Sequence, residues 1–195
     1  MAEVPVYSLV IDFPTISTFA GFNPFTGPRT INFEQAVKRR DERVKEIKDV
    51  FEAARQYAKA HEAYSKDKSL PHPETDLKME ALVPYVKGEK PIIFTAQRSR
   101  DIRAVLKFIE EAKVKGIIYG GGEAWEVADD LKKHDVAVIY TNIHSNPFSQ
   151  DDPYDANFAA PSKMRNAGVR FCISTGDDGA NARELPYQAG MAGAL

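Results

Sequence analysis

The chain has 195 residues, 43% of them hydrophobic and 28% charged, with a formal net charge of −2. That length suits a single domain with a substantial core, and the near-balanced charge gives no electrostatic case for binding nucleic acid or an anionic membrane. A lone cysteine, Cys172, excludes an internal disulfide and a multi-cysteine zinc cage.

The start, Met1-Ala2-Glu3-Val4-Pro5, lacks the basic, then apolar, then small-residue order of a signal peptide. With Met1 as the natural start, the expected location is cytoplasmic. No segment reaches the roughly 18 consecutive apolar residues of a membrane span. The first apolar run, Val6 to Phe13, reads as a buried strand. Asp12-Phe13-Pro14-Thr15 and the loop from Gly21 to Pro28 carry no site motif.

From Phe33 to about Tyr64 the residues Val37, Val44, Ile47, Phe51, Ala54 and Ala58 recur at helical spacing. Asn32 is placed to cap this helix, with Gln35 three residues on to answer it. Its charged opposite face (Lys38, Arg39, Glu42, Lys45, Glu46, Lys48) reads as solvated surface. The polar stretch Ser65 to Pro73 breaks the pattern. A shorter helix from Thr75 to Lys87 is expected to stop at Gly88.

Four more apolar runs read as strands: Pro91 to Ala96, Gly116 to Tyr119, Val136 to Tyr140 and Val169 to Ser174. Their β-branched and aromatic content, with little polar alternation, predicts parallel strands covered on both faces. In the last of them Cys172 reads as a buried core thiol rather than a nucleophile. Helices are expected from about Ser99 to Lys113 and from Glu123 to Lys133. Strand alternating with helix implies right-handed crossovers, a parallel sheet and ligands at the carboxyl ends of the strands.

The strand ends offer several candidates, each with a plainer alternative. Arg98 and Arg100 follow the second strand and suit a carboxylate clamp, or salt bridges to nearby acidic residues. Gly120-Gly121-Gly122 suits a backbone nest for an anion ahead of a helix, or a tight βα turn; the spacing is neither a Walker nor a dinucleotide fingerprint. Asp177-Asp178 suits a cation or a base, or turn and capping chemistry. His144 lies in the loop Thr141 to Asp155 on the active-site side, as a ligand contact or as an ordinary surface residue. The cluster Asp151-Asp152-Pro153-Tyr154-Asp155 lacks the spacing of a calcium loop and reads as a turn before a helix. His61, His72 and His134 carry no site signal.

Three stretches together carry a family resemblance: PIIFTAQRSRDI beginning at Pro91, GIIYGGGEAWEVADDLKKHDVAVI beginning at Gly116, and AGVRFCISTGDDGANARELPYQAGMAGAL beginning at Ala167. Over roughly Leu77 to Leu195 the chain resembles the C-terminal half of an amidohydrolase barrel, in the imidazolonepropionase-like and prolidase-like branch. The resemblance implies metal-binding histidines at two strand ends, positions that here are Thr95 and Gly120. It also implies a metal-binding, proton-handling aspartate after the last strand, a position matched by Asp177 with Asp178 as its neighbour. The His-x-His pair of the family's first strand has no counterpart.

The expected fold is therefore α/β, with parallel βα units forming part of an incomplete (β/α)8 barrel in a single domain, 1–195. A catalytic zinc needs about three protein ligands, and it is the metal that makes water a nucleophile near neutral pH. One carboxylate does not hold zinc, so no metal and no cofactor are expected. Asp177 is the catalytic candidate; Arg98, Gly120, Gly121, His144 and Asp178 are the small-molecule contacts. The first reading is an amidohydrolase-like protein that is catalytically incomplete and binds a small molecule. The alternative is a metal-dependent hydrolase of carbon–nitrogen bonds, using zinc and completed by the missing N-terminal barrel or a partner chain, or pairing Asp177 with His144. A third reading is an anion-binding domain centred on Gly120 to Gly122. Missing barrel units would leave open sheet edges, so a homo-oligomer or a partner domain covering them is expected.

Overall fold

The computed structural model describes residues 8–25, 27–149, 151–176 and 179–193. The described residues pack as two compact units, one from Met1–Asp12 with Gly88–Leu195 and one from Phe13–Lys87.

In the larger unit five strands form one parallel sheet. They are β1 (Val10–Asp12), β4 (Ile92–Ala96), β5 (Gly116–Gly120), β6 (Ala137–Tyr140) and β7 (Phe171–Ile173), in the order β1-β4-β5-β6-β7. Between them run α3 (Ser99–Ala112), a short 3-10 turn (Ala124–Val127) leading into α4 (Ala128–Lys133), and α5 (Ala156–Asn166). A second 3-10 turn (Gly179–Glu184) and α6 (Leu185–Gly193) follow β7. This is an α/β fold with the strand order of part of a (β/α)8 barrel.

Alternation along each strand decides which residues are covered. Ile92, Phe94 and Ala96, with Ile118, Val138 and Tyr140, are at most 2% exposed. Phe94 meets Phe108 of α3 edge to face, with ring centroids 5.7 Å apart. Ile102, Val105, Leu106 and Leu131 complete this helix-covered face.

The opposite face departs from the expectation of strands covered on both sides. Its residues, among them Ile93, Thr95, Ile117, Tyr119, Ala137 and Ile139, are only half-buried. Five strands do not close a barrel, so this face lacks the ring of side chains that fills a closed one. Cys172 is exposed, not the buried thiol expected. The register sets it beside Ile139 on this half-covered face, and β7 ends the hydrogen-bonded strand order.

Element boundaries shift modestly. The first strand is shorter than Val6 to Phe13, although residues 1–7 lie outside the described residues. The helix expected over Glu123 to Lys133 begins as a 3-10 turn. Pro161 sits inside α5 and obscures that helix in the sequence.

The smaller unit holds an antiparallel hairpin, β2 (Phe19–Asn23) with β3 (Gly27–Thr30), and the helices α1 (Phe33–Lys66) and α2 (Leu77–Val86). Asn32 caps α1 as expected, its Oδ1 accepting from Gln35 N at 2.7 Å. On α1 the apolar stripe is fully buried only from Phe51 through Ala54 to Ala58, whereas Val37, Val44 and Ile47 are half-buried. Among the described residues no helix is long and apolar enough to cross a membrane.

Candidate functional site

The carboxyl ends of β4, β5 and β6 are tied together by side-chain and backbone amides. Gly120 and Gly121 have φ of 100° and 62°, a left-handed turn that disfavours a side chain. It folds the chain back so that Gly121 N donates to Ala96 O at 2.8 Å and Glu123 N to Gln97 O at 2.8 Å. Gly122 N donates to Gln97 Oε1 at 3.2 Å. A Cβ on Gly121 would stand 2.7 Å from Val138 Cγ1, and one on Gly122 would overlap the Phe148 ring.

Asn142, 6% exposed, joins the third strand to this turn. Its Nδ2 donates to Gln97 Oε1 at 2.8 Å, to Gly120 O at 2.9 Å and to Thr141 Oγ1 at 3.3 Å. Its Oδ1 accepts from Ser145 Oγ at 3.3 Å. One layer further out, Asn157 Nδ2 donates to Ser145 O at 2.7 Å and Asn146 O at 3.1 Å. Below it the buried Tyr140 hydroxyl donates to Asn157 O at 3.0 Å.

Burial pushes the Tyr140 phenol above its ordinary value. The folded pKa is raised, so this stability is fully present below the unfolded value near 10 and is lost as pH rises through the folded one. Tyr140→Phe is expected to cost about 1 kcal/mol at pH 7 and to flatten the alkaline fall in stability. Urea unfolding at pH 7 and pH 11 checks both.

The network bears directly on the residues singled out in the sequence. The amides of Gly121, Gly122 and Glu123 are spent on Ala96 O, Gln97 Oε1 and Gln97 O, so an anion at this nest would have to displace internal acceptors. Arg98 is exposed at the start of α3 and supplies no side-chain cap. That role falls to Glu123, whose Oε2 accepts from Ser99 N at 2.8 Å. Arg100 pairs with Asp101 at 3.4 Å. Asp177 and Asp178 lie outside the described residues.

Thr95 and Gly120, the positions where the family resemblance implies histidines, do not share a face. Thr95 pairs in register with Tyr119, and Gly120 pairs with Ala96 one step on. Gln97, Asn142 and Thr95 offer neutral amide and hydroxyl groups. Among the described residues no three His, Cys, Asp or Glu side chains come together. This donor set does not fit a catalytic zinc.

His144 lies elsewhere, in the loop after β6. Its Nε2 is 3.4 Å from Met191 Sδ of α6. With Arg183, Glu184 and Tyr187 it lines a shallow cavity of about 600 Å³. Arg183 and Tyr187 lie in a stretch that carries the family resemblance, yet neither is a site candidate there, because nothing local to them points to His144. Gln97 and Asn142 were equally silent: each is a single polar residue just past a strand, and only the fold makes them partners.

No family profile matches the chain, and no curated protein is significantly similar to it. Among solved structures, the crystal structure of an amidohydrolase from Thermotoga maritima MSB8 is similar at a TM-score of 0.67 over 86% of this chain, with 20% sequence identity. The chain spans 46% of that protein's length. At that identity the likeness is one of architecture, and the fold is amidohydrolase-like.

Proposed function

We propose that this chain is an amidohydrolase-like protein of the imidazolonepropionase-like and prolidase-like kind, that its strand ends bind no catalytic metal, and that it holds a small molecule on that side of the sheet. The observation that carries this reading is the link from Asn142 Nδ2 to Gln97 Oε1 and Gly120 O. Groups at the strand ends that face a metal in a hydrolase need lone pairs free for it; here Gln97 Oε1 and Gly120 O each accept from two internal donors. The edge strands β1 and β7 and the half-covered face suit a second copy or a partner domain as cover.

A second reading has one observation in its favour. The chain spans only 46% of an amidohydrolase of like fold, so the rest of a barrel from another segment or chain would supply missing ligands. The protein would then hydrolyse carbon–nitrogen bonds, with Asp177 as ligand and base.

Elemental analysis of protein purified without chelator or an affinity-metal column separates the two. The expected result is substoichiometric zinc, manganese and iron, even after incubation with zinc and dialysis, and no turnover of dipeptides or N-acyl amino acids. Near-stoichiometric metal that falls away in Asp177→Asn overturns the first reading in favour of the second.

A further inference from the structure

The cavity after β6 and β7 has a charge arrangement that the amide network does not explain. Arg183 and Glu184 are neighbours and both line it, yet no ion pair within 4.0 Å joins them to each other or to any described residue. A guanidinium and a carboxylate around one hollow, without an ion-pair partner among the described residues, are complementary to a molecule that carries both opposite charges. Tyr187, 74% exposed, presents a ring that an apolar or aromatic group can stack on. His144, whose Nε2 is 3.4 Å from Met191 Sδ, lines the same hollow.

We infer that the cavity lined by His144, Arg183, Glu184 and Tyr187 is a binding site for a small amino-acid-like zwitterion, its carboxylate on Arg183, its amine on Glu184 and its side chain against Tyr187. This deepens the small-molecule reading above and rests on it. It does not depend on the absence of metal.

The test is calorimetric titration of the whole chain with L-phenylalanine, with 3-phenylpropionate and phenethylamine as analogues lacking the amine and the carboxylate. L-Phenylalanine should saturate one site, and each analogue should bind about tenfold more weakly or worse. Arg183→Gln and Glu184→Gln should each weaken L-phenylalanine by about tenfold, with circular dichroism unchanged, since Arg183 is exposed and glutamine keeps the size of the half-buried Glu184. Absence of saturable binding, analogues that bind as well as the amino acid, or binding indifferent to both substitutions would each overturn the site. The outcomes stay separable from the metal question. Stoichiometric metal together with L-phenylalanine binding removes the metal-free reading and keeps the site, whereas metal-free protein that ignores L-phenylalanine does the reverse.

Discussion

Asn142→Leu is expected to lower the unfolding free energy by about 2–3 kcal/mol, read as a fall in the urea midpoint at unchanged m-value. Leucine keeps the branched shape at a somewhat larger volume and removes both the Nδ2 donor and the Oδ1 acceptor. Gly120 O then retains Thr141 N at 3.2 Å, and Gln97 Oε1 retains Gly122 N at 3.2 Å, so neither acceptor is fully orphaned. What is lost is the pair of shorter bonds, 2.8 and 2.9 Å, together with the 3.3 Å bonds to Thr141 Oγ1 and from Ser145 Oγ, made in a site 6% exposed. Asn142→Asp makes a sharper test. It sets a carboxylate oxygen against two carbonyl oxygens, so it should cost more than leucine at pH 7. Part of the loss should return as the carboxyl protonates in acid. Equal stability of the wild type and Asn142→Leu would mean that the strand ends are not held by this residue.

The second large effect is expected at the turn itself. Gly121→Ala should destabilise by about 2–4 kcal/mol, the sum of a left-handed penalty of about 1 kcal/mol and overpacking of about 1–3 kcal/mol. The overpacking arises because the new Cβ would stand 2.7 Å from Val138 Cγ1 and 3.3 Å from Ala124 Cβ, and both neighbours are buried. Gly88 supplies the control. Its φ of 71° is similar, but nothing lies within 4 Å of a Cβ built there. Gly88→Ala should therefore show the conformational cost alone, about 1 kcal/mol. Thermal unfolding of the two variants checks the difference, and equal losses would refute the packing account.

These two predictions rest on contacts of very different legibility. The strand Ile92–Ala96 and the helix Ser99–Ala112 fall almost where Pro91 to Ala96 and Ser99 to Lys113 were expected, because an apolar run and a helical stripe are local properties. The hairpin Phe19–Asn23 with Gly27–Thr30 was hidden by Gly21, Pro24, Gly27 and Pro28, which read as loop. Its ladder also carries an irregularity between Phe19 and Gly21. The apolar run around Cys172 misleads for a different reason. An apolar run identifies a strand without saying which alternate residues the helices cover.

Asn142 and Gln97 are 45 residues apart and meet only across two strand pairings. Arg183 and Glu184 share a hollow with His144 only because the loop after β6 brings that residue beside them. The sequence by itself determined the alternation of strand and helix, and through the handedness of crossovers the parallel sheet, since both follow from the periodicity of neighbouring residues. Only the tertiary structure decided which face of that sheet is covered and which polar side chains spend their hydrogen bonds on one another, because register and packing join residues with no local relation.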